Sequence, residues 1–194
     1  MDFYHGSVKE GLTVLKPFPQ KHSDREPCVF LTLNKQVALF YIWDSNRFTA
    51  KIPTFEVRKN GVIVFQEMWG GALKYLYKGL SGYIYRCVGS YELDPTFRIN
   101  SVALPKNEVE IKDCEFIEDV YDRIVEYEKY GLFICEKYEE LSQNKHDGIR
   151  RWVMNWIEGN NLLRDKDSFL SKFFQDRYPK YWKEAEVMDK NNLL

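Results

Sequence analysis

Residues 3–7 read Phe3-Tyr4-His5-Gly6-Ser7. Three ring side chains run straight into a glycine, so the stretch reads as a short strand closing at Gly6. A second apolar block, Cys28-Val29-Phe30-Leu31-Thr32, reads as a compact strand. Between the two, Pro17, Pro19, Ser23, Asp24 and Pro27 mark a loop. Asn34 is placed to cap a helix over Lys35 to Trp43, in which Val37, Phe40 and Tyr41 share one face at i, i+3 and i+4.

The next stretch, Thr54 to Glu67, reads as a hairpin. Phe55 and Val57 alternate with Glu56 and Arg58, Asn60-Gly61 predicts a type I′ turn, and Val62-Ile63-Val64-Phe65 returns. Ala72 to Leu80 reads as a short helix with Gly79 near its end. Gly82 to Val88, Ser90 to Leu93 and Glu108 to Ile111 read as strands; in the last, Val109 and Ile111 share one face and both glutamates the other. After residue 117 the period turns helical. Val120, Ile124, Tyr127, Gly131, Ile134, Tyr138 and Leu141 step by four and three, a seam for a partner helix or for the sheet. Two or three shorter helices follow, one carrying Trp152 and Trp156 and another Phe169 to Trp182 with Pro179 interrupting it. The pattern predicts an α+β protein, with a mainly β region over 1–117 and a helical C-terminal region over 118–194 packed on it.

Composition narrows the function. The 194 residues carry 28 Lys+Arg against 29 Asp+Glu, so bulk positive charge does not point to nucleic acid. No apolar run reaches the ~18 residues of a membrane span, and the first residues lack the layout of a signal peptide, so no membrane partner is expected and the cytoplasm is the default. Cys28, Cys87, Cys114 and Cys135 are too far apart for a zinc ribbon, and three histidines, His5, His22 and His146, are too scattered for a metal site. Buried, unreactive thiols are expected, with Cys135 inside a helix.

Three features stand in order: His5-Gly6-Ser7 closing the first strand, Tyr41 in the helix after the second, and Asn107-Glu108-Val109 opening a late strand. Together with Val29-Phe30-Leu31-Thr32 and Ala38-Leu39-Phe40-Tyr41, this order resembles the His-Tyr-Glu class of ADP-ribosyltransferases, the group that includes diphtheria-type toxins and poly(ADP-ribose) polymerases. The resemblance covers about residues 1–117. It implies a split, mostly antiparallel β core and NAD as substrate, with no metal. It also implies transfer of ADP-ribose to an acceptor (protein, nucleic acid or small molecule) with release of nicotinamide. In that resemblance His5 bonds the adenosine ribose and the Gly6 backbone holds the nicotinamide amide, with Ser7 beside them. Tyr41 stacks on the nicotinamide ring, and Glu108 grips the nicotinamide ribose and favours the oxocarbenium-like state.

Two positions depart from that class. Many relatives carry a serine one helical turn before the tyrosine, where this chain has Ala38. Glu108 and Glu110 form a Glu-x-Glu pair, which resembles the arginine-modifying class, where the second glutamate is catalytic. That class opens on Arg rather than His, so Glu108 is the first choice and Glu110 its rival, with Glu67 and Glu92 behind them. Trp69-Gly70-Gly71 reads as a turn, or as a border of the nicotinamide pocket. The rings and cations between Lys172 and Lys183 read as a helix packing its aromatics, with single-stranded nucleic acid as the other reading. Three further readings stay open: an NAD- or ADP-ribose-binding module without catalysis, an RNA 2′-phosphotransferase on the same fold, and an interaction protein working through 118–194.

Overall fold

The computed structural model describes residues 1–19, 26–44, 55–97 and 99–190. They fall into two compact units: Met1–Phe65 with Leu73–Cys135, and Gln66–Ala72 with Glu136–Leu194.

The first unit is organised around β1 (Asp2–Ser7), which lies inside a five-stranded antiparallel sheet. Its neighbours are β3 (Leu31–Thr32) on one side and β6 (Gly82–Val88) on the other. Outside these lie β7 (Val102–Ala103) and β9 (Asp113–Ile117), giving the order β7-β3-β1-β6-β9. The β1–β6 ladder runs from Asp2↔Val88 to Ser7↔Tyr83. A separate pair joins β2 (Val14–Leu15) to β8 (Val109–Glu110). Leu15 and Val109 pack on Phe3, Val29, Leu31, Cys87 and Ala103, so the small pair helps form a core on one face of the large sheet.

The opposite face of β1 meets α1 (Lys35–Leu39). Asn34 caps it as expected, its Oδ1 accepting from Gln36 N at 2.9 Å and Val37 N at 3.3 Å. The helix is shorter than the expected Lys35–Trp43. It closes at Phe40, and Tyr41 follows in the turn, its N–H donating to Ala38 O. Gly6 is required here by packing. A Cβ at Gly6 would overlap the Ala38 carbonyl oxygen and lie 3.0 Å from Ile42 N.

A three-stranded sheet follows, built from β4 (Phe55–Val57), β5 (Ile63–Gln66) and β10 (Phe133–Glu136) in the order β10-β5-β4. The β4–β5 hairpin forms, but not with a type I′ turn. Arg58 N bonds Val62 O, Gly61 N bonds Arg58 O, and only Gly61 takes a positive φ, 83°. That is a three-residue loop with one left-handed glycine. Asn60 instead uses Oδ1 to accept from Val62 N at 3.2 Å. Phe40 of the turn after α1 packs on Phe55, Phe65 and Phe133 with centroids 5.0–6.4 Å apart, which ties this sheet to α1.

The seven-residue step from Val120 to Leu141 is not one helix. It is divided among α3 (Val120–Lys129), a turn in which Gly131 has φ 69°, and β10, followed by a 3₁₀ turn at Tyr138–Glu140. Cys135 therefore lies in a strand, and Cys114 is exposed rather than buried. Ser90–Leu93 makes only an isolated bridge, Leu93↔Ala103. The other expected helix over 72–80 is α2 (Ala72–Tyr77), with Gly79 just beyond it at φ 69°.

The second unit contains α4 (Gln143–Gly159), α5 (Phe169–Arg177) and α6 (Pro179–Lys190). Pro179 opens α6, where its missing N–H has no intrahelical partner to lose. Phe173, Phe174, Tyr178, Tyr181 and Trp182 are buried, the packing alternative for this stretch. Trp69 joins that core, 5.4 Å from Phe173 and 6.0 Å from Tyr178 between ring centroids. Among the described residues no helix is long and apolar enough to cross a membrane.

Candidate functional site

His5 and Gly6 occupy the end of β1 where its pairing with β3 stops. The backbone geometry there follows from one bond. Gly89 N donates to Met1 O, which turns the polar groups of residue 1 toward β6. Polar groups alternate sides along an antiparallel strand, so those of Phe3, His5 and Ser7 also face β6, and those of Tyr4 and Gly6 face β3. Tyr4 pairs with Thr32. The next pairing would join Gly6 to Phe30, but Phe30 lies outside β3 and no backbone bond between the two exists among the described residues.

The Phe30 carbonyl instead accepts from the His5 ring, with Nδ1 2.8 Å from the oxygen. A carbonyl only accepts, so Nδ1 carries the proton and the neutral ring presents Nε2 as an acceptor. Burial pulls the His5 pKa below its ordinary value of 6.5, partly opposed by the bond to Phe30 O, which favours the charged ring. Gly6 is buried, and by this alternation its N–H and C=O face the side of β1 on which pairing with β3 has stopped. Buried backbone polar groups almost always have partners. The notch at the end of the β1–β3 ladder thus offers a backbone donor and acceptor from Gly6.

Phe30 also holds Tyr41. Their ring centroids are 3.9 Å apart with planes tilted by 33°, and Phe55 approaches Tyr41 edge-on at 6.2 Å. One residue therefore orients both His5, through its carbonyl, and Tyr41, through its ring. Sequence reasoning assigned Phe30 to a strand and gave it no role in the site. A backbone carbonyl leaves no mark in residue identity, so only the ring, eleven positions before Tyr41, was there to be noticed.

The remaining candidates stand apart from this notch. Ser7 Oγ accepts from Lys9 N at 3.1 Å in a local turn. Glu108 immediately precedes β8 and is exposed, 3.6 Å from Lys16 Nζ. Val109 turns inward toward Phe3, which leaves Glu108 and Glu110 on the other side of β8. Glu110 is also exposed and pairs with Lys112 at 2.7 Å. No contact joins Glu108 to His5 or Tyr41 among the described residues. Glu92 is exposed, and Glu67 is buried in the second unit, its Oε2 3.5 Å from Tyr138 N. Trp69, with Gly71 at φ 73°, belongs to the aromatic core of that unit.

The lowered pKa has a consequence for stability. The unfolded chain takes up a proton on this ring near pH 6.5, and the folded chain resists it. The His5 contribution is therefore complete above pH 6.5 and is lost as the pH falls toward the lower folded value. Urea titrations across that range should show stability declining on acidification in wild type, with a smaller slope in His5→Asn, which cannot titrate. Equal slopes would mean that His5 is not held neutral.

Comparison with protein-family models, with curated proteins and with solved structures finds no match to this chain.

Proposed function

We propose that the chain binds NAD at the His5–Gly6–Tyr41 notch and transfers ADP-ribose to an acceptor, releasing nicotinamide. The observation that carries this reading is the unclosed end of the β1–β3 ladder. A carboxamide has one donor face and one acceptor face, and Gly6 offers an acceptor and a donor on one strand edge. His5, neutral and protonated on Nδ1, accepts a sugar hydroxyl at Nε2. Tyr41, steadied by Phe30, supplies an aromatic surface for a flat ring.

In the reaction the bond from the ribose anomeric carbon to the nicotinamide nitrogen breaks, and its electron pair leaves with nicotinamide. An acceptor nucleophile forms the new bond to that carbon and gives up its proton. Positive charge builds on the ribose between these events, and Glu108 is the carboxylate assigned to favour it. The pair with Lys16 is solvent-exposed and therefore weak, so a ligand hydroxyl can replace it.

A second reading, binding of NAD or ADP-ribose without turnover, is favoured by Ala38 in place of serine and by the lack of any contact between Glu108 and His5 or Tyr41 among the described residues. Free nicotinamide, followed by chromatography after incubation with NAD, separates the two. Release that falls at least tenfold in His5→Ala supports transfer or hydrolysis. Binding by calorimetry without release supports the silent module, and neither binding nor release overturns the assignment of NAD.

A further inference from the structure

A groove of about 240 Å³ in the first unit is lined by Asn34, Val57, Arg58, Lys59, Gly61, Ile99, Asn100 and Ser101. We propose that it is a phosphate-binding subsite, built from the β4–β5 loop and the turn before β7. It does not rest on the NAD reading. None of His5, Gly6, Phe30 and Tyr41 lines the groove, so it is built from other residues than the notch.

Arg58 and Lys59 both line the groove, and among the described residues no acidic residue does. Neither forms an ion pair among the described residues. Two adjacent cations on a concave wall, with no carboxylate paired to them among the described residues, concentrate positive potential there.

Hydrogen bonding narrows the ligand. Several polar side chains around the groove are already committed. Asn34 Oδ1 caps α1 and its Nδ2 donates to Gly61 O at 3.3 Å, while Ser101 Oγ meets Thr32 Oγ1 at 3.1 Å. These bonds fix the walls. Arg58, Lys59 and Asn100 keep their side-chain donors free of bonds among the described residues. The donors come from two separate loops, so they approach a central anion from more than one side. A tetrahedral oxyanion presents oxygens in all those directions, and a guanidinium can take two of them at once. The volume is ample for a phosphate or a diphosphate.

The test uses the full chain without NAD, so its failure is independent of the NAD assignment. Inorganic phosphate and pyrophosphate are titrated at constant ionic strength set with chloride, following the amide signals of Gly61, Asn100 and Ser101. Saturable shifts are expected, weakened at least tenfold in Arg58→Ala/Lys59→Ala. The urea midpoint of that variant should match wild type, since both side chains are exposed; Lys59→Glu alone, weakening binding with the same midpoint, serves as the second variant. Shifts that do not saturate, that chloride alone reproduces, or that persist unchanged in both variants overturn the proposal.

Discussion

Glu108→Gln is expected to reduce ADP-ribose transfer by about 10³-fold while leaving the fold intact, because the shape is kept and the charge facing the developing cation is lost. Its exposed pair with Lys16 contributes at most about 1 kcal/mol, so stability should barely change. The rival is tested in the same assay. Glu110 lies on the same side of β8 and is occupied by Lys112, and Glu110→Gln should stay within a few-fold of wild type. Full activity in Glu108→Gln with loss in Glu110→Gln would transfer the role to the second glutamate. Loss in neither would remove the catalytic carboxylate from this strand.

Gly6→Ala is expected to destabilise the first unit by about 3 kcal/mol, the upper part of the usual range for overpacking. A methyl group there meets the Ala38 carbonyl and the Ile42 amide, both backbone, so no side chain can rotate away. Either β1 or the end of α1 must move, and β1 is held on both sides by its sheet. Urea unfolding of the wild type and variant measures the effect without any ligand. A loss below about 1 kcal/mol would show that α1 yields easily. The same packing bears on what the glycine is for. The family resemblance reserves its bare Cα for the approach of nicotinamide. In the fold that side is filled by α1, and what remains for a ligand is the edge of the peptide.

The elements that could be read from sequence were those whose signal is local. β1, β6 and the Asn34 cap are set by short runs of residues, and they formed where expected. The hairpin strands were legible as well, but its turn was not. Asn60-Gly61 fits two loop types, and the choice depends on register, which places Val57 opposite Ile63. The long helix failed for a different reason. Four-three spacing marks a helix only if every position in the series stays helical, and Gly131, itself one of the series, takes φ 69° instead. β9 was not read although Asp113, Cys114, Glu115 and Phe116 alternate polar and apolar; the run is short, and its apolar Cys114 and Phe116 are exposed in the fold. Glu115 is acceptable there because Lys35 at 2.6 Å and Arg123 at 2.6 Å neutralise it. Of the candidate site, His5, Gly6 and Tyr41 were legible as residue types. Their common anchor at Phe30 was not, since it depends on where a strand stops pairing.

The position of β1 also governs how the molecule is assembled as it is made. Its long partner begins at Gly82, and Asp2 pairs with Val88. At synthesis rates of roughly 5–20 residues per second, Val88 follows Asp2 by about 4–17 s. During that interval Phe3 has only the two-residue β3 beside its strand, and the strand that later becomes central is the one waiting longest for a neighbour. A nascent chain of this kind is exposed to wrong pairings early and protected late, so its vulnerability on the ribosome is set by topology rather than by final stability.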